Sequence, residues 1–400
     1  MASCTKAVLV GIDTLVINAH FPQHEQLAEE QKKAKQETYD ARLSALVEQL
    51  YQWQEKAQIA KEPQLTTWEH EGKAFLMSPN GTQTHYFLLK NGYIDLMMGP
   101  HLHHGAPARV RFSSEYLWRR GVDDAVMSTH MFLSSLLQEV VNLQPAEMHL
   151  CADIAGFHIP RNYERVFVSL ATKWRPVKES QLDKPVYRHH RLETLQFSGH
   201  GNPLSVTIYD KPAEIEQKSR EKRWFYDLWK QRQWDEQTPV WRIECRVKRE
   251  ALHEMDIEDV YEAIEKAPAI WAYCVGHPGQ KKGWIRMVEP NTKDSNRRRW
   301  ETAEAWQTVQ TAFLSGWRDV TDIEAIQRER KREINLDRAE KAIAGYTTTY
   351  GAWLQDALSP DADASMVLQR LYTRMLEIWE ERGVDFQTLR RQKQCVYHIS

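Results

Sequence analysis

Four hundred residues, 42% hydrophobic and 27% charged, suit two domains or one large domain with appendages, in the range of ordinary soluble globular chains. A net charge of −2 gives no overall basic field, so any contact with nucleic acid must come from a local patch. The five cysteines (Cys4, Cys151, Cys245, Cys274 and Cys395) are scattered and never form a C-x-x-C pair, which argues against a zinc finger or a disulfide framework.

Along the chain, VLVGIDTLVIN (8–18) reads as an opening strand, and residues 24–60 as a long amphipathic helix carrying Leu43, Leu46, Leu50 and Trp53. The pieces TTWEH, KAFLM, HYFLLK, YIDLMM and ARVRFS then read as short strands separated by turn signals. Residues 114–143 are expected to be helical and AEMHLCADIAGF (146–157) to be a strand. VFVSLA, 191–197 and 203–211 continue the sheet, and 212–231 is a crossing helix. Helices are expected over 257–275 and 300–320, with GWIRMV (283–288) a strand between them. From about 322 onward the pattern is helical, interrupted by a loop at 358–365. The fold class is therefore α+β: a body over residues 1–290 with an antiparallel sheet core and packed helices, and a helical extension over 295–400. With no signal-type segment and no apolar run of about eighteen residues, the expected location is cytoplasmic.

Three of these strands carry chemistry on one face, because residues two apart in a strand point the same way. In 203–211, Leu204, Val206 and Ile208 oppose Ser205, Thr207, Tyr209 and Lys211. In VWRIECRVKRE (240–250), Trp241, Ile243, Cys245 and Val247 oppose Arg242, Glu244, Arg246 and Lys248. In 148–154, His149, Cys151 and Asp153 share the polar side. A tyrosine beside carboxylates and an imidazole suits nucleophilic attack on a phosphate polarised by a hard divalent ion. Lys211 could favour the phenolate or hold the phosphate, since a free tyrosine, with a pKa of about 10, is little ionised at neutral pH.

The order of these strands resembles the replication-initiation factor family of small rolling-circle plasmids (Rep_trans), whose relatives include relaxases of integrative conjugative elements. MHLCAD is similar to the family's R-L-D-x-A-x-D strand, placing Asp153 on its second acidic position. IYDK is similar to its I-Y-N/D-K strand, placing Tyr209 on the nicking tyrosine and Lys211 on the lysine that follows. WRIECRVKRE is similar to its W-R-x-E strand, placing Arg242 and Glu244. Asp13 and Leu15 of the opening strand, and ARVRFS, match more loosely. The resemblance covers roughly residues 8–290 and implies an HUH-like initiator fold. It also implies Mg²⁺ or Mn²⁺ as cofactor and cleavage of one strand at an origin hairpin, with tyrosine joined to the 5′-phosphate and a 3′-hydroxyl left free. Tyr209, Lys211 and Arg242 are then the catalytic residues, Asp153, Glu244 and His149 the metal ligands, and Arg246 and Lys248 DNA contacts. A superfamily 1 helicase and a second copy of the chain are the implied protein partners, and no membrane is. Two residues depart from the family: His149 stands where an acidic residue is expected, and so does Arg111 in ARVRFS.

Blander readings compete at each point. Tyr209 alone suits a half-buried strand tyrosine, Glu244 a cross-strand partner of its arginines, and Asp153 a buried carboxylate bonded inside the protein. The HLHH segment (101–104) lies between MMGP and GAPA, turn-like surroundings that suit an exposed loop better than two imidazoles on one metal. His189 and His190 are open between phosphate contact and surface exposure. SGHGNP matches no phosphate-cradling loop and reads as a hairpin turn. The run NRRRW offers Arg297, Arg298 and Arg299 as DNA contacts, against a solvated helix face. A conjugative relaxase with the same chemistry, a non-catalytic DNA-binding relative, and a protein-binding scaffold using the helical tail are the rival functions.

Overall fold

The computed structural model describes residues 5–22, 29–99, 106–160, 162–171, 174–176, 187–188, 191–199, 201–318, 322–328, 336–354 and 363–390, with side chains of the long helix described from Leu43 on. HLHH, His189 and His190 lie outside the described residues. The first strands are β1 (Lys6–His20), β2 (Gln64–His70), β3 (Lys73–Met77), β4 (Phe87–Lys90), β5 (Ile94–Met98), β6 (Ala108–Phe112) and β7 (Asn142–Ala155). They are followed by β8 (Phe167–Ser169), β9 (Trp174–Pro176), β10 (Tyr187–Arg188), β11 (Arg191–Leu192) and β12 (Thr194–Phe197). β13 (Leu204–Asp210), β14 (Val240–Lys248) and β15 (Ile285–Met287) complete the series.

Among the described residues, eleven strands form one antiparallel sheet in the order β2-β3-β4-β5-β6-β1-β7-β14-β13-β12-β9. β10 pairs with β11 and β15 with β8 in two small separate ladders. The expected α+β class is what the chain adopts. The two longest strands, β1 and β7, lie side by side at the centre, and β14 and β13 follow, so the three strands picked out by alternation are neighbours. Their apolar sides (Met148, Leu150, Ala152 and Ile154; Ile243, Cys245 and Val247) join one large core. Helix Glu304–Gly316 lies on that side, its Gly316 so close to Val10 that a Cβ would come within 2.8 Å of a valine methyl.

Local chemistry explains where the elements differ from the sequence reading. The helix expected over 114–143 is two, Ser114–Arg120 and Val122–Leu136, divided at Gly121, whose φ of +86° suits glycine. The crossing helix is also two, Lys211–Lys218 and Trp224–Gln231, joined by a 3₁₀ turn. Lys211, expected on the strand beside Tyr209, is instead the first residue of a helix. Pro212 cannot supply a ladder N–H, and the Asp210 side chain caps the helix by accepting from the Ala213 N–H at 3.0 Å.

The chain divides into a unit Met1–Glu329 and a unit Arg330–Ser400. The body therefore extends past the boundary expected near 290–295, because helix Glu304–Gly316 buries Trp306, Val309 and Phe313 in the main core. In the second unit, helices Leu336–Trp353 and Ala364–Glu381 pack together, with Gly351 against Val367. Among the described residues no helix is long and apolar enough to cross a membrane.

Candidate functional site

Cross-strand register assembles the polar residues on one face of β1, β7, β14 and β13. Arg242 stands opposite both Asp153 and Tyr209, Glu244 opposite Cys151 and Thr207, and Arg246 opposite His149 and Ser205. β1 reaches the same face through a register irregularity between Ile12 and Thr14, where Asp13 is the extra residue. Gly11 precedes it for a steric reason: a Cβ there would lie 2.6 Å from the ring of Trp118, which crosses β1 and donates its indole N–H to Asp13 at 3.1 Å.

One end of this face is sealed. Arg242 is fully buried and donates from Nε and Nη2 to the two oxygens of Asp153, at 2.6 and 2.9 Å, and from Nη1 to Asp13 at 2.9 Å. Trp229 adds a 2.8 Å bond to Asp153, and Ser114 a 2.8 Å bond to Asp13. The two short helices after β13 roof these ions with Ile215, Phe225 and Trp229, and the guanidinium lies 4.5 Å from the Phe225 ring centroid. Burial alone would raise the Asp13 pKa, but Arg242 and Lys211 outweigh it and hold the carboxyl well below its usual range. Lys211 is itself only 1% exposed and donates to Glu214 at 2.7 Å. Burial and the neighbouring Arg242 push its pKa down.

The other end opens to solvent. Tyr209 donates its hydroxyl to one oxygen of Glu244 at 3.0 Å, while the other meets His149 Nδ1 at 2.9 Å. His149 Nε2 meets Glu147 at 2.8 Å, and Arg246 donates to the second oxygen of Glu147 at 2.9 Å. The result is a chain Tyr209–Glu244–His149–Glu147–Arg246 across three strands. Burial disfavours the charged imidazole, yet bonds to two carboxylates win, and the His149 pKa rises to about 9. Burial raises Glu147 and Glu244 in turn, but His149 reverses that; Glu147 falls to about 2 and Glu244 is lowered. Burial, then the charge on Glu244, push the Tyr209 phenol well above its ordinary value. At neutral pH the tyrosine is thus a protonated donor held against an ionised carboxylate.

This arrangement sorts the residues expected from sequence. Tyr209, Glu244, His149 and Arg246 come together; Asp153 and Arg242 bond each other at the sealed end, and Lys248 stands opposite Glu147 at the open rim. Arg242 and Lys211 are too deeply buried to meet a phosphate. Arg111 is exposed on β6, paired in register with Val16 and Asp95. Arg297, Arg298 and Arg299 form a 3₁₀ turn away from the four-strand face, and Arg297 is tied to the Glu164 carbonyl at 2.8 Å. Glu147 was missed, although it continues the His149–Asp153 alternation by one pleat. Trp229 and Phe225 were missed because nothing local ties that helix to β7.

His149, Asp153 and Glu244 do not fit a divalent ion as they stand. Both Asp153 oxygens accept from Arg242, both His149 nitrogens face carboxylates, and both Glu244 oxygens are engaged. Among the described residues no group of three or more His, Cys, Asp or Glu side chains is gathered to hold a metal.

No protein-family model matches the chain, and no curated protein matches it. Among solved structures, the chain is similar to a rolling circle replication initiator protein from Geobacillus stearothermophilus. The match covers 81% of this chain and 99% of that one, at 14% sequence identity and a TM-score of 0.41.

Proposed function

We propose that the protein is a rolling-circle replication initiator that nicks and rejoins one DNA strand through Tyr209. The observation that carries this reading is the hydrogen bond from the Tyr209 hydroxyl to Glu244 on an open sheet face, supported by the resemblance of these strands to the three signatures of the initiator family, from which His149 departs. The phenol is too weak an acid to ionise unaided, so Glu244 takes its proton as the phenolic oxygen attacks phosphorus. A bond forms from the tyrosine oxygen to the 5′-phosphate, the bond from phosphorus to the 3′-oxygen breaks, and the leaving 3′-oxygen takes a proton from solvent, to which Glu244 returns the one it accepted. Rejoining reverses the exchange. Protonated His149 and Glu147 orient Glu244, Arg246 and Lys248 supply positive charge at the rim, and Arg242 with its two aspartates positions β14 from below. A conjugative relaxase would use the same steps, and a superfamily 1 helicase and a second copy of the chain belong to this proposal as partners.

A non-catalytic, sequence-specific DNA-binding relative is the second reading, favoured by the mutual pairing of every expected metal ligand. One assay separates the two. The full chain is incubated with single-stranded origin DNA, in Mn²⁺, in Mg²⁺ and in chelator, and run on a denaturing gel beside Tyr209→Phe. A covalent adduct that disappears in Tyr209→Phe is the expected result, and the chelator lane reports on the Mg²⁺ or Mn²⁺ requirement that the resemblance implies. An adduct surviving in Tyr209→Phe would sink the nucleophile assignment. Specific binding with no adduct in any lane would establish the second reading.

A further inference from the structure

A second site lies away from the four-strand face. Helix Ala267–Val275 packs on helix Glu304–Gly316, which covers the opposite side of β1 and β7. Beyond it, β15 pairs with β8, and the loop between Gly276 and Trp284 folds back so that the Trp284 N–H donates to the Tyr273 carbonyl at 3.0 Å. These pieces border an open cavity of about 830 Å³, within the range of small-molecule sites, roughly 300–1,000 Å³. Leu170, Tyr273, Trp284 and Ile326 give it apolar and aromatic walls, while Lys282, Arg298 and Arg299 bring cations to it. No carboxylate lines it among the described residues.

The cations are held in place. Arg286, only 1% exposed, donates to the carbonyls of Trp300 and Arg298 at 2.8 and 2.9 Å and to the Thr302 hydroxyl at 2.9 Å, fixing the 3₁₀ turn that carries Arg298 and Arg299. Lys281 pairs with Glu301 nearby, leaving that carboxylate occupied. An aromatic and aliphatic hollow with cations at its mouth matches a ligand having a flat, weakly polar body and a phosphate.

We propose that this cavity binds a nucleoside phosphate, its base against Tyr273 and Trp284 and its phosphate on Lys282, Arg298 and Arg299. The same chemistry is offered by a free nucleotide or by one nucleotide of a single strand. The site does not depend on Tyr209, so the adduct assay and this proposal can fail separately.

The test is calorimetric titration of the full chain with dAMP, with a short oligothymidylate and with inorganic phosphate, repeated on Arg299→Ala, Lys282→Ala and Tyr273→Leu. The two cation variants alter exposed side chains, so folding is not at risk in them. Expected is dAMP or oligonucleotide binding that weakens roughly tenfold or more in each cation variant and also in Tyr273→Leu. If the oligonucleotide displaces dAMP and binds more tightly, the source is a DNA strand; if dAMP binds and the oligonucleotide does not compete, it is a free nucleotide. The proposal is overturned if neither binds, if the variants bind as well as wild type, or if phosphate alone competes as effectively as dAMP.

Discussion

The two ends of the polar face are built from the same alternation on the same strands, yet they have become different objects. At one end Asp13, Asp153 and Arg242 are sealed under Phe225 and Trp229; at the other Tyr209, Glu244, His149 and Glu147 remain within reach of solvent. The strands do not decide which is which. The helices after β13 do, by covering Arg242 and stopping short of Glu244. A charged strand residue is therefore structural or chemical according to what a distant segment places above it.

The sharpest way to break the comparison is to remove the charge on which the sealed end depends. Arg242→Ala leaves two buried carboxylates unpaired, and should cost about 3–5 kcal/mol, read from the denaturant midpoint. The pH dependence gives a second signature. In the wild type, Asp13 is held low, so its contribution is present above its unfolded pKa and lost as pH falls. Without the guanidinium, burial raises the Asp13 carboxyl, and the variant should gain relative stability as pH falls. A variant with unchanged midpoint and unchanged pH slope would show that the sealed cluster is not what holds β1, β7 and β14 together.

The open end carries the opposite slope. The His149 pKa is raised to about 9 by Glu147 and Glu244, with Arg246 and Tyr209 as the other polar groups bonded to that pair. Its contribution is fully present below the unfolded value near 6.5 and is lost as pH rises through about 9, on the order of 3 kcal/mol at most. Thermal melts of wild type and His149→Gln from pH 6 to 10 should converge toward the alkaline end. Curves that stay parallel would mean that His149 is neutral between its carboxylates.

Much of this was legible in the sequence, and the limits have physical causes. Period-two alternation is local, so the polar sides of β7, β13 and β14 could be read from five residues each, and their three motifs gave the strand set. What alternation cannot reveal is depth. Arg242 and Arg246 are equivalent in the pattern, and only the roof over one of them separates a buried ion pair from a rim cation. Lys211 was misplaced for a similar reason: the Pro212 beside it converts the strand end into a helix start and turns the ammonium toward Glu214. Trp229 bonds Asp153 across a sequence distance of 76, and no short-range rule reaches so far.

Trp229 supplies the finest cut between the two ends. Trp229→Phe keeps most of the apolar roof over Arg242 and removes one hydrogen bond to a buried carboxylate, for a cost of about 1–3 kcal/mol. Nothing at the open end touches the indole, so DNA binding and the Tyr209 adduct should persist at temperatures where the variant is folded. If stability falls as expected and the adduct is unchanged, the sealed end is a foundation and no more. If instead adduct formation drops while the fold holds, Asp153 and Arg242 must set the position of Glu244 through β14, and the division between the two ends would be one of degree.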